Sequence, residues 1–366
     1  MSCALVERGW TPAWESPTST VTTAHTSGHE HTLPQVNPDL VLANPTPSLQ
    51  FGARLPFRES ETAMRTITAA LVLFLFGCAS AGSDPSADWN KPFDLVISDA
   101  RIVDGTGNPW FHGDIGIRGD RIASIGHLEG REARRTIDAA GRVVAPGFID
   151  LMGQSSLVLI TNPASAESKL RQGITTYLSG ESGSAAPQND RTQGNPPVLD
   201  GDTLRWTNYD QYFQILEERG IPLNVIHNVG LSQVRRVVLG DGDVQPTPVQ
   251  MEEMKALVRE GMEMGAVGVS IALIYPPAVY ASTQEITELA RVAGEYGGIY
   301  FTHLRNESQD VLEAIREALE IGAGAGVPVH IYHLKAAGQD NWPLMRQAIA
   351  LVDSARAEGM DVTADV

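Results

Sequence analysis

From Gly147 to the end of the chain, short apolar runs alternate with longer amphipathic stretches, and this alternation constrains the fold more than any other feature. The runs are Phe148-Ile149-Asp150, Thr175-Thr176-Tyr177-Leu178, Leu223-Asn224-Val225-Ile226, Val267-Gly268-Val269-Ser270, Ile299-Tyr300-Phe301-Thr302, Val329-His330-Ile331-Tyr332 and Asp361-Val362-Thr363-Ala364, seven in all. Between the later ones, residues 248–264, 283–296, 308–323 and 342–358 carry apolar residues at i, i+3, i+4 and i+7, the period of a helix with one buried face. Strands covered by helices are buried on both faces, so they read as continuous apolar runs and lie parallel to one another. The sequence therefore predicts an α/β fold, either an open doubly wound sheet or a closed barrel. No Gly-x-Gly-x-x-Gly follows the first run, which counts against a dinucleotide-binding sheet.

Residues 92–146 have a different texture. Phe93-Asp94-Leu95-Val96-Ile97, Asp114-Ile115-Gly116-Ile117, Arg121-Ile122-Ala123-Ser124-Ile125 and Arg142-Val143-Val144 are short strands separated by Gly/Asp turns, enough for a small sheet but not for a domain of its own.

The start of the chain reads as processing, not folding. Residues 1–63 are rich in Pro, Ser and Thr without apolar periodicity, and are expected to be disordered or a mis-called extension. Residues 64–77 form a secretion signal: a basic start at Met64-Arg65-Thr66, an apolar run of about ten residues, and small residues at its end. That run is too short to span a bilayer, which takes roughly 20 apolar residues. Leu75-Phe76-Gly77-Cys78 resembles a lipobox, so Cys78 is the expected lipidation site and residues 78–91 the linker to the folded part. The expectation is an exported bacterial-type lipoprotein on the periplasmic face, with the outer membrane favoured by Ala79 and no membrane contact beyond the lipid. The net charge of −17 argues against nucleic acid as a partner. Two cysteines in unlike contexts, Cys3 and Cys78, make neither a disulfide framework nor a thiolate zinc site.

Chemistry gathers at the ends of the predicted strands, where barrel enzymes keep their functional groups. The fifth strand ends Thr302-His303-Leu304-Arg305-Asn306-Glu307 and the sixth Tyr332-His333-Leu334-Lys335. Two imidazoles aimed into one mouth suit Zn²⁺ or a similar ion, and from spacing alone the more frequent reading of each is a buried, hydrogen-bonded histidine. The second strand ends Leu178-Ser179-Gly180-Glu181-Ser182-Gly183, where Glu181 is either a carboxylate for a ligand or a solvated loop acid.

These segments resemble a known family. Residues 99–107, Ile137-Asp138-Ala139 and Val143-Val144-Ala145-Pro146-Gly147-Phe148-Ile149-Asp150 resemble the opening of the amidohydrolase superfamily. Gly265-Ala266-Val267-Gly268-Val269-Ser270, Tyr275-Pro276-Pro277, residues 298–307 and residues 330–335 are similar to its D-aminoacylase branch, the N-acyl-D-amino-acid deacylases. The resemblance implies a TIM-type (β/α) barrel with a small flanking β-sandwich over residues 92–146. It also implies zinc held by a second-strand residue with His303 and His333, and an eighth-strand aspartate as general base. By the same resemblance Lys335 binds the substrate carboxylate, Tyr275 lies near the acyl group, and Arg305 either grips a carboxylate or pairs with Glu307.

Three departures qualify that picture. Met152 and Gln154 stand where the superfamily places a His-x-His pair, so one strongly bound ion is expected instead of two. Ser182 occupies the slot of the branch's cysteine with Glu181 beside it, and a carboxylate binds zinc far better than a neutral hydroxyl, so Glu181 is the expected third ligand. Residues 361–366 read as the seventh strand and the sequence stops there, so the expectation is a barrel with seven of eight strands, its general base beyond residue 366, and no turnover by this piece alone. The leading expectation is a metal-dependent hydrolase of linear amides acting on small N-acyl-D-amino acids. The alternatives are another amidase or dipeptidase of the superfamily, or a non-catalytic metal- or ligand-binding lipoprotein. Nothing in the sequence bears on the oligomeric state.

Overall fold

The computed structural model describes residues 3–6 and 91–366. Its smaller part is one mixed sheet of β1 (Cys3–Val6), β2 (Phe93–Ile102), β3 (Phe111–Arg118), β4 (Arg121–Gly126), β5 (Ala133–Asp138) and β6 (Val143–Pro146). The order is β1-β6-β2-β3-β4, with β5 also on β2. The long β2 changes partner along its length. It pairs in parallel with β5 over residues 93–98 and with β6 at Arg101 and Ile102. The switch falls at a bulge between Ile97 and Ala100, where Asp99 sits at φ 51, a backbone state that short polar residues tolerate. Ile97, Ala100, Ile102, Ile115, Ala139 and Val144 bury one face of this sheet.

Within residues 1–63, Cys3–Val6 pairs antiparallel with Val143–Pro146. These four residues, Cys3-Ala4-Leu5-Val6, are a short apolar run that supplies an edge strand. The remainder of that segment, the signal at 64–77, Cys78 and the linker 78–91 short of its last residue lie outside the described residues.

The larger part begins with β7 (Phe148–Asp150), α1 (Val158–Thr161), α2 (Glu167–Arg171), β8 (Ile174–Ser179) and α3 (Asp190–Gln193). A short hairpin, β9 (Val198–Leu199) and β10 (Asp202–Thr203), leads to α4 (Tyr209–Arg219), β11 (Asn224–His227), β12 (Val229–Gly230) and α5 (Leu231–Val238). Then follow α6 (Pro248–Glu263), β13 (Gly268–Ala272), α7 (Thr283–Gly294), β14 (Ile299–His303), α8 (Val311–Ala325), β15 (Val329–Ile331), α9 (Met345–Ala357) and β16 (Val362–Ala364). All seven anticipated strands are present and parallel, with β8 between β7 and β11, and β12 through β16 side by side in sequence order. Asn228 alone separates β11 from β12, so one stretch of chain joins the two sets.

The apolar runs owe their continuity to two-sided burial. Every residue of β13 and β15 is buried. Tyr300, Val269, Ile271, Val329 and Ile331 share a core with Ile286, Leu289, Ala290, Ile315 and Ile321 of α7 and α8. The alternate positions Leu178, Phe301 and Tyr332 form a separate cluster on the other face. The helices start where the sequence caps them. Thr247 and Gln250 form a reciprocal capping box ahead of α6, with Pro248 in its first turn, and the Ser282 hydroxyl accepts from the Glu285 N–H at the start of α7. Register then aligns the strand ends: His227 opposite Ser179, Ala272 opposite His303, and Ile331 opposite both Thr302 and Ala364.

Candidate metal centre

That register brings the C-terminal ends of β8, β14 and β15 to one edge, with Glu181, His303 and His333 on it. The odd-numbered positions of β14 face the Phe301 cluster, so His303 stands on the same side as Phe301, buried above it. His333 follows β15 and sits at φ 38, a left-handed backbone state costly for a residue with a Cβ. The side chain of Asp365, just past β16, accepts the His333 N–H through Oδ1 and meets His330 Nε2 at 3.2 Å through Oδ2, while His330 Nδ1 meets Thr363 Oγ1 at 2.8 Å. Burial works against the Asp365 carboxylate, but the bonds from His330 and from the His333 N–H outweigh it and hold its pKa below the usual range. Asp365 thus buttresses the His333 turn instead of facing the cluster.

Glu181 is delivered by a loop with little freedom. Gly180 has φ +99, and a Cβ there would come within 2.7 Å of the Asn228 carbonyl, so both conformation and space require glycine. Ser270 ties the loop down, its Oγ donating to the Gly180 carbonyl and accepting from the Ser182 N–H. Ser182 turns away from the imidazoles: its hydroxyl meets Ser232 Oγ at 2.6 Å and accepts from the Ala272 N–H at 2.8 Å.

Glu181 Oε1 lies 3.7 Å from His303 Nδ1 and 3.8 Å from His333 Nε2, and ligand atoms of the three residues all fall within 4.8 Å of one another. No other group of three His, Cys, Asp or Glu among the described residues meets that condition. An ideal tetrahedral zinc with bonds of about 2.1 Å holds its ligands roughly 3.4 Å apart, close to the two separations from Glu181. His303 Nε2, on the far side of its ring, is buried without a hydrogen-bond partner. The donor set, two imidazoles and a carboxylate, is the chemistry of a zinc site with a position left open.

The remaining expected residues are placed unequally. Tyr275 is 57% exposed and presents its ring at 61° to His303 with centroids 5.6 Å apart, at the mouth of the cluster. Lys335 Nζ lies 2.8 Å from His333 Nδ1 and donates to Glu307 Oε1 at 2.7 Å and to the His333 carbonyl at 3.1 Å. Arg305 does not reach the cluster. Its guanidinium is taken by both oxygens of Glu317 on α8, at 2.8 and 2.9 Å, and by the carbonyls of Val279 and Ala281. Its bidentate fork thus engages Glu317 on the neighbouring helix. Met152 is partly exposed, and Gln154 is held by its backbone, donating to Tyr177 Oη at 3.1 Å and accepting from the Gly180 N–H at 3.1 Å.

Glu307 is the residue that the sequence reading left without a role at the site. Its Oε1 is 2.9 Å from His333 Nδ1 and its Oε2 3.6 Å from His303 Nε2, so one carboxylate addresses both imidazoles from the side opposite Glu181. The available signal was its position four residues after His303.

The structure thus combines a parallel α/β architecture with a His/His/Glu group at the strand ends that could hold a metal ion. The chain belongs to the amidohydrolase family, whose pattern matches residues 135–366. It is 36% identical over 282 residues to a D-aminoacylase of Alcaligenes xylosoxydans xylosoxydans, a match that takes in 75% of this chain and 57% of the relative. The chain thus spans little more than half the length of that relative. A solved N-acyl-D-glutamate deacylase from Bordetella bronchiseptica, complexed with zinc and a phosphonate inhibitor that mimics the tetrahedral intermediate, superposes with a TM-score of 0.70 at 36% identity, over 75% of this chain and 58% of that one. A D-aminoacylase structure described for its binuclear metal centre, with one-metal activation and second-metal attenuation, gives a TM-score of 0.68 at 35% identity over the same shares.

Proposed function

We propose that this chain is the metal-binding portion of a hydrolase of linear amides, an N-acyl-D-amino-acid deacylase built on a (β/α) barrel. The observation that carries the reading is the convergence of Glu181, His303 and His333 at the ends of three parallel strands. The similarity to D-aminoacylase and to the N-acyl-D-glutamate deacylase supports the substrate class. Bound among these three residues, one zinc ion would polarise the amide carbonyl and make water nucleophilic near neutral pH.

The protein's own groups supply the rest. The Tyr275 ring walls the mouth beside His303, where an acyl group would lie. The Lys335 ammonium, with its side chain 46% exposed, offers a charge to the substrate carboxylate. The phenol of Tyr332 is pushed up by burial and then by the charge of Glu181, so it stays protonated below the cluster. One ion, not two, is favoured because Met152 and Gln154 replace imidazoles at the first strand. We place the protein on the periplasmic face of a membrane through a lipid on Cys78, a reading supported by the sequence of residues 64–78.

The test is release of free amino acid from N-acetyl-D-amino acids and their L-enantiomers by zinc-loaded full-length protein that contains this chain, beside its Glu181→Ala variant. D-selective release that is lost in the variant is expected, and zinc binding without release from any N-acyl amino acid would favour a binding protein. Labelled palmitate incorporated by wild type but not by Cys78→Ala is the result expected for the anchor.

A further inference from the structure

His333 Nδ1 meets two groups with opposite demands. Glu307 Oε1 lies 2.9 Å away and can only accept, and Lys335 Nζ lies 2.8 Å away and can only donate. The carboxylate bonds this nitrogen when the ring proton is on Nδ1, which leaves a lone pair on Nε2 facing Glu181 Oε1. The ammonium bonds it when the proton is on Nε2, and then no lone pair faces Glu181. The choice of partner decides whether His333 is a ligand.

We propose that Glu307 is a positioning residue that holds His333 in its metal-competent tautomer against Lys335, and orients His303 from the same carboxylate. The proposal rests on the metal reading given above. Three contacts support it. Glu307 Oε1 accepts from Lys335 Nζ at 2.7 Å, which draws the lysine's protons away from the ring, and Lys335 also has the His333 carbonyl at 3.1 Å as a second acceptor. Glu307 Oε2 stands 3.6 Å from His303 Nε2, the buried nitrogen without a hydrogen-bond partner, so a small shift toward it would satisfy that atom and leave His303 Nδ1 facing Glu181. A carboxylate on the non-ligating nitrogen of a metal-bound histidine fixes the ring and its tautomer, and losing it costs about 10- to 100-fold in metal affinity.

The competition between Glu307 and Lys335 gives a test that a general structural role would not pass. Zinc affinity is measured on the full chain by competition with a chromophoric chelator, and the ligand field is read from the absorption of the Co²⁺-loaded protein. Glu307→Ala is expected to weaken zinc by about 10- to 100-fold. Lys335→Met alone is expected to keep zinc affinity, and Glu307→Ala/Lys335→Met to recover part of the loss because the competing donor is gone. Glu307→Gln, which keeps the shape, replaces the alanine variant if that one does not fold. Unchanged zinc affinity in the Glu307 variants, or a double variant no better than the single, would overturn the proposal. A wild-type chain that takes up no zinc would overturn the metal reading itself, a separate result.

Discussion

Glu181 and Ser182 are consecutive in the chain yet engage separate partners: the Glu181 carboxylate stands 3.7 Å from His303 Nδ1, while the Ser182 hydroxyl meets Ser232 Oγ at 2.6 Å and the Ala272 N–H at 2.8 Å. Ser182, at φ 59, turns the backbone so that the acid faces the imidazoles and the hydroxyl enters a buried polar network. Removing that hydroxyl leaves the Ala272 N–H without its partner. Ser182→Ala should therefore cost about 1–3 kcal/mol in urea unfolding while zinc stays bound. Loss of zinc at unchanged stability would mean that the serine, not the acid, holds the ion.

His227 gives a pH signature. It is buried beside Tyr209 and Phe213, with ring centroids 3.9 and 4.7 Å away, and its Nε2 has no hydrogen-bond partner. Burial pushes its pKa down from 6.5 to about 4, a shift that the Gly261 carbonyl only partly offsets. Between these values the unfolded chain binds the proton that the folded chain refuses, so this contribution is complete above pH 6.5 and is lost as pH falls toward 4. The full loss is about 3 kcal/mol. With falling pH across this window, wild type should lose about 3 kcal/mol of unfolding free energy relative to His227→Phe, and parallel curves would contradict the assignment.

Arg235 and Glu285 form a buried ion pair behind the sheet, with Arg235 also donating to the Val244 carbonyl at 2.8 Å. Burial raises the Glu285 pKa and the bond from Arg235 opposes it. Deleting one partner strands a charge. Arg235→Met is expected to cost about 3–5 kcal/mol, and Arg235→Met/Glu285→Leu less than that single change. Chemical denaturation of the three proteins decides it.

Much of the fold was legible because burial on both faces writes strands such as β13 and β15 as apolar runs, and the histidines follow two of the runs directly. β5 escaped notice because Arg134, Arg135 and Asp138 interrupt its apolar positions, most of its residues being exposed or half-buried. Glu307 was hidden by proximity: Arg305, two residues away, looked like its partner, and only the packing of α8 shows that Glu317 takes the arginine instead. The use of Asp365 as a buttress for His333 depends on a backbone φ that no residue pattern encodes.

The most direct test of the account is the metal content of the purified chain by elemental analysis, with Glu181→Ala and His303→Ala in parallel. The account predicts one zinc per chain in wild type and its loss in each variant with the fold retained. A wild-type chain without metal, or variants that keep the ion, would contradict it.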